Sequence, residues 1–86
     1  MSQNEKLFLK ILLGNQDSNI SFNELQKILT LCGFICRIKG DHYIYTKDGI
    51  AEIINIQPKG NKAKAYQVKQ IRDIIIKYRL GGIDNV

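Results

Sequence analysis

Apolar residues recur at helical spacing in three stretches of the chain, and at alternate positions between the second and the third. Over residues 4–13, Leu7, Phe8, Ile11 and Leu12 fall on one helical face. Asn4 is placed to cap this helix, Glu5 suits its positive end, and Gly14 ends it before a polar loop at 14–19. Ser21 and Glu24 then have the spacing of a capping box, in which serine hydroxyl and glutamate carboxylate each accept the other's backbone amide. Phe22, Leu25, Ile28, Leu29 and Cys32 follow on one face, and Gly33 supplies the left-handed stop. From Phe34 the period becomes two: Phe34, Cys36 and Ile38 alternate with Ile35, Arg37 and Lys39. Gly40-Asp41 reads as a turn, 42–47 as a second strand, Asp48-Gly49 as a hairpin, and 50–57 as a third strand with Ile54 and Ile56 facing the core. Pro58 stops pairing and opens a basic loop at 59–64. Residues 66–79 form a last helix with Val68, Ile71, Ile74, Ile75 and Tyr78 inward; Gln67, Lys69, Gln70, Arg72, Asp73 and Lys77 lie on the other face. Gly81-Gly82 ends the ordered part, with 83–86 a loose tail.

This order predicts an α+β two-layer sandwich: a three-stranded antiparallel sheet with amphipathic helices on one face. The chain of 86 residues reads as one domain, 1–86, in which the helix at 4–13 is an N-terminal extension of an α-β-β-β-α unit. The other sheet face, assigned Arg37, Lys39, Tyr43 and Tyr45, is left open to solvent or a partner.

A hydrophobic share of 44% suits a packed domain and argues against disorder. No apolar run approaches the ~20 residues of a membrane-spanning helix. The short apolar segment at 7–13, interrupted by Lys10, lacks the basic leader and cleavage site of a signal peptide. Cys32 and Cys36 therefore read as packed thiols in a reducing cytoplasm, and with a single histidine a structural zinc site is not expected. No cofactor motif is present. Net charge is +5, and its distribution is informative. Residues 1–33 balance three lysines against three acids, whereas 34–86 carry ten Lys and Arg against five acids. A basic excess confined to one part of a chain fits a polyanionic partner, nucleic acid first, or plain solubility.

Chemistry concentrates at residues 37–45. His42, the one histidine, follows a Gly-Asp turn, with Arg37 and Lys39 before it and Tyr43 and Tyr45 after it. The charge pattern argues for holding a polyanion and not for cutting it, and His42 reads equally as a polar residue at a strand start. Were RNA cut here without a metal, the step would need a base for the 2′-hydroxyl proton, an acid for the leaving oxygen, and cations for the developing charge. An imidazole, with an ordinary pKa of ~6.5, serves either proton role. Lys39 and Arg37 are placed to contact phosphate, and Asp41 to orient the imidazole or repel the RNA backbone. Tyr43 and Tyr45 can stack on bases or pack across strands. Lys59, Lys62 and Lys64 form the densest basic cluster, a phosphate clamp or a solvated loop. Lys69, Arg72 and Lys77 can extend the patch along the last helix, although Lys69 and Asp73 also have i,i+4 spacing.

The ordered combination Ser21-Phe-Asn-Glu-Leu25, Cys32-Gly-Phe34 and Lys39-Gly-Asp-His-Tyr-Ile-Tyr45 resembles the HicA family of bacterial toxins over roughly residues 21–80. The resemblance implies a double-stranded-RNA-binding-like α-β-β-β-α fold, cleavage of mRNA through His42, and neutralisation by a HicB-like antitoxin. Asp41 stands where the family pattern has serine, and the first helix and the long basic loop mark an outlying member. Residues alone leave two alternatives open: a non-catalytic RNA-binding module, or a small interaction domain meeting an acidic protein.

Overall fold

The computed structural model describes residues 2–81. Helix α1, Gln3–Leu13, begins at Ser2, not at Asn4. The Ser2 hydroxyl accepts from the Glu5 amide at 3.1 Å while the Glu5 carboxylate accepts from the Ser2 amide at 3.2 Å. This is the same Ser-x-x-Glu spacing that starts α2, and a reciprocal pair outcompetes a lone asparagine. Helix α2, Phe22–Leu31, opens on the predicted box, with Ser21 and Glu24 exchanging bonds of 2.9 and 3.0 Å. It closes in a Schellman motif: Gly33, at φ 90°, donates to Thr30, and Phe34 donates to Leu29, both at 3.0 Å.

Strands β1, Ile35–Lys39, β2, His42–Thr46, and β3, Ile54–Ile56, form an antiparallel sheet in the order β1-β2-β3. A two-residue turn joins β1 to β2, its first corner taken by Gly40 at φ 63°. The third strand is much shorter than the 50–57 expected. A tight hairpin at Asp48-Gly49 would pair Tyr45 with Glu52, but Tyr45 pairs with Ile54. The excess chain bows away from β2, and Glu52 is bonded instead to Lys77 Nζ at 2.9 Å and to the Tyr78 hydroxyl at 2.6 Å.

Helix α3, Ala65–Tyr78, packs its predicted apolar stripe of Val68, Ile71, Ile74 and Ile75 into the core beside Leu25, Ile28, Leu29, Ile54 and Ile56. Two residues assigned to its outer face turn inward. Gln67 is buried because its carbonyl folds back to accept from the Lys64 amide, 3.3 Å away, at the helix start. Arg72 lies against the C-terminal end of α1. Its guanidinium donates to the Asp17 carboxylate at 2.8 Å and to the Ile11 carbonyl at 3.2 Å. A cation there complements the negative end of the α1 dipole. Residues 83–86, read as a loose tail, lie outside the described residues.

The helices cover β2 and β3 but stop short of β1. Phe34 is buried, whereas every residue of β1 is exposed, including Cys36 and Ile38, which alternation had assigned to the core.

Candidate functional site

Register decides which side chains share the open face. Directly paired residues of antiparallel strands project to the same side. Lys39 pairs with His42, Arg37 with Ile44, and Ile44 in turn with Asn55. The outer face therefore carries Arg37, Lys39, His42 and Asn55. Cys36 pairs with Tyr45, and Ile38 with Tyr43, so both tyrosines face the helices. This corrects their assignment to the open face: a two-residue turn makes odd positions of β1 match even positions of β2.

The tyrosines have structural work of their own. Tyr45 is 2% exposed, its hydroxyl accepts from the Gln26 amide at 3.1 Å, and burial pushes its phenol up to about 12. The Tyr43 ring meets Phe22 edge-on, centroids 5.0 Å apart. Neither ring is presented to a base.

His42 sits at the head of β2 with its side chain 46% exposed. Asn55 Oδ1 lies 3.0 Å from its Nδ1, and Gln57 Nε2 lies 3.2 Å from its Nε2. A carbonyl oxygen only accepts, so Nδ1 carries the proton and donates to Asn55. Gln57 then donates to the lone pair on Nε2, and also to Asp41 Oδ2 at 3.1 Å. Asp41 stands 3.7 Å from Nε2. The Gln57 side-chain amide thus bridges Asp41 and the imidazole. The arrangement fixes one tautomer and one ring orientation, with the basic nitrogen Nε2 on the side of Gln57 and Asp41.

Asn55 and Gln57 were not singled out in the sequence. The available signal was the pairing parity itself. Asn55 is the one polar residue between the core positions Ile54 and Ile56, so it must point to the same side as His42.

The basic loop at 59–64 is a miniature hairpin. Lys59 and Lys62 exchange backbone bonds of 2.9 and 3.1 Å around Gly60-Asn61. The loop is fastened to the α2 start, since Phe22 donates to Asn61 and Ala63 donates to Ile20, both at 3.0 Å. Lys59, Lys62 and Lys64 line a shallow concavity of about 830 Å³ with Pro58 and the exposed Tyr66. Lys59 follows Gln57 by two residues, so the chain holds their Cα atoms within about 7 Å. One lysine of the concavity, Lys59, is thus close in sequence to Gln57, the residue that contacts the imidazole.

Ion pairing separates the cations into two groups. Lys69 is taken by Asp73 at 2.8 Å, Arg72 by Asp17 at 2.8 Å, and Lys77 by Glu52 at 2.9 Å. Of the two readings of the α3 cations, the structure has the pairing one: each has an acidic partner within the chain. Arg37, Lys39, Lys59, Lys62 and Lys64 make no ion pair among the described residues. Among the described residues there is no group of three or more His, Cys, Asp or Glu able to hold a metal ion, and no helix long and apolar enough to cross a membrane. No protein-family model, curated protein or solved structure matches the chain.

Proposed function

We propose that this protein is an RNA-cleaving toxin of the HicA type, cytoplasmic and metal-independent, acting on mRNA and held in check by a HicB-like antitoxin. The observation that carries the reading is the exposed His42, fixed in one tautomer on the same sheet face as the unpaired Lys39 and Arg37. The α-β-β-β-α order, with helices covering one sheet face, is in keeping with a double-stranded-RNA-binding-like fold.

In this reading Nε2 takes the proton of a 2′-hydroxyl once the Gln57 amide swings aside. The 2′-oxygen bonds to phosphorus as the phosphorus–5′-oxygen bond breaks. The proton returns to the leaving 5′-oxygen, and the products are a 2′,3′-cyclic phosphate and a 5′-hydroxyl. Lys39 and Arg37 hold the phosphate, and their charge stabilises the pentacoordinate state. Lys59, Lys62 and Lys64 extend the surface along the backbone of the RNA. Asp41 orients Gln57, which in turn holds the imidazole at rest.

The second reading is an RNA-binding module without cleavage. It is favoured by one observation: both imidazole nitrogens already have partners within the chain. Expression in a bacterial host tests the first reading. Parent protein arrests growth, and His42→Ala does not, although its thermal unfolding matches the parent. Growth arrest by the His42→Ala form would overturn the assignment.

A further inference from the structure

Strand β1 takes part in the proposed catalytic site only through Arg37 and Lys39. It is the edge of the sheet, and both of its faces are exposed: Ile35 is 73% and Ile38 61% accessible. Edge strands are commonly shielded by a bulge, a covering segment or a proline. Among the described residues none of these is found on β1, whose pairing with β2 runs unbroken through five residues.

The hydrogen-bonding polarity of that edge follows from the turn. A two-residue hairpin loop makes the flanking pair, Lys39 and His42, a hydrogen-bonded one, and such pairs alternate along the ladder. Arg37 and Ile35 therefore bond to β2, while the amides of Cys36 and Ile38 point away from the sheet. The outer face of the same strand presents Arg37 and Lys39, neither of which has an acidic partner among the described residues.

We propose that β1 is a strand-addition site for an extended segment of a partner protein. That segment alternates acidic residues with apolar ones. Its acids face Arg37 and Lys39, its apolar side chains cover Ile38 and Cys36, and its backbone pairs with the amides of Cys36 and Ile38. A second copy of this chain does not fit. Antiparallel self-pairing about the strand centre sets Arg37 against Arg37, and like charges directly opposed are destabilising. The inference does not depend on His42 being catalytic. If it is, a strand added at β1 covers both phosphate contacts and lies two strand spacings from the imidazole, which makes it an inhibitory position.

The test uses the full chain, isotope-labelled, and a nine-residue acetylated peptide alternating glutamate and valine. Amide hydrogen exchange is read residue by residue at about 1 mM peptide. The peptide is expected to slow exchange at Cys36 and Ile38 while leaving Arg37 unchanged. Arg37→Glu with Lys39→Glu should weaken binding by at least about tenfold. Ile38→Pro should abolish protection without unfolding the sheet, because the amide it removes serves no bond to β2. The Glu substitutions keep the test decisive if the proline variant fails to fold. The same protection is expected in His42→Ala protein, which separates this proposal from the catalytic one. It is overturned by absence of protection at that concentration, by equal binding of a lysine–valine peptide, or by concentration-dependent protection without any peptide. Equal protection of the same two amides by single-stranded RNA would also overturn it.

Discussion

Replacing Arg72 with methionine keeps the side-chain stem and deletes the guanidinium. The guanidinium makes two charge-assisted bonds, to Asp17 at 2.8 Å and to the Ile11 carbonyl at 3.2 Å. The two side chains are only 14% and 20% exposed, so water replaces the lost partner poorly. A hydrogen bond to a charged group contributes ~1.5–3 kcal/mol, and the remaining access to water keeps the pair toward the lower part of that range. We expect Arg72→Met to cost about 2 kcal/mol, which in a chain of this size lowers the melting temperature by about 8–16 °C. Asp17→Asn should cost less, and the double substitution should cost little more than Arg72→Met alone, since both remove the same bond. Thermal unfolding followed by circular dichroism reads all three. RNA affinity of the folded fraction is expected to stay at the parent level, because this cation already has its partner. Melting within about 3 °C of the parent, or lost RNA affinity with unchanged melting, would refute the clamp and make Arg72 a candidate for the proposed RNA surface.

At pH 8 a disulfide-exchange reagent should modify the exposed Cys36 rapidly and Cys32 slowly. Burial shields the Cys32 sulfur and pushes its thiol up to about 11, and mass spectrometry of the labelled peptides counts both. The Glu52 carboxyl is held below the usual glutamate range by the Tyr78 hydroxyl first and Lys77 second. Its contribution to stability is therefore present above the ordinary glutamate pKa and is lost as pH falls through the depressed folded-state value. Glu52→Gln should flatten that part of the acid limb in urea titrations across pH, and an unchanged limb would count against the tether. Combined Lys59→Ala, Lys62→Ala and Lys64→Ala should leave thermal unfolding unchanged. The same changes should reduce the salt slope of single-stranded RNA binding by about 2, measured by fluorescence anisotropy at several salt concentrations.

Local signals in the sequence were reliable where the physics was local. The Ser21–Glu24 box, the Gly33 stop, the Gly40 turn and the apolar stripe of α3 each depend on neighbours within a few residues, and each is found in place. Pairing was harder. Tyr43 and Tyr45 look like companions of Arg37 and Lys39 along the chain, yet the two-residue turn reverses the parity and sends them to the core. Working that parity through would also have found Asn55, the acceptor that fixes His42. Contacts across long separations left no local trace. Asp17 and Arg72 are 55 residues apart, and Glu52 and Tyr78 are 26 apart, so composition alone made Arg72 and Lys77 look like free cations. The truncated β3 has the same origin, since Glu52 is bonded to α3 instead of continuing the strand.

We have proposed that His42, held by Asn55 and flanked by Lys39 and Arg37, cleaves RNA without a metal. Purified protein incubated with end-labelled mRNA in excess chelator tests it directly. Fragments ending in 2′,3′-cyclic phosphate and 5′-hydroxyl are expected, absent with His42→Ala, while both proteins bind the RNA alike. Salt-sensitive binding with no fragments from either protein, or fragments undiminished in His42→Ala, would contradict it.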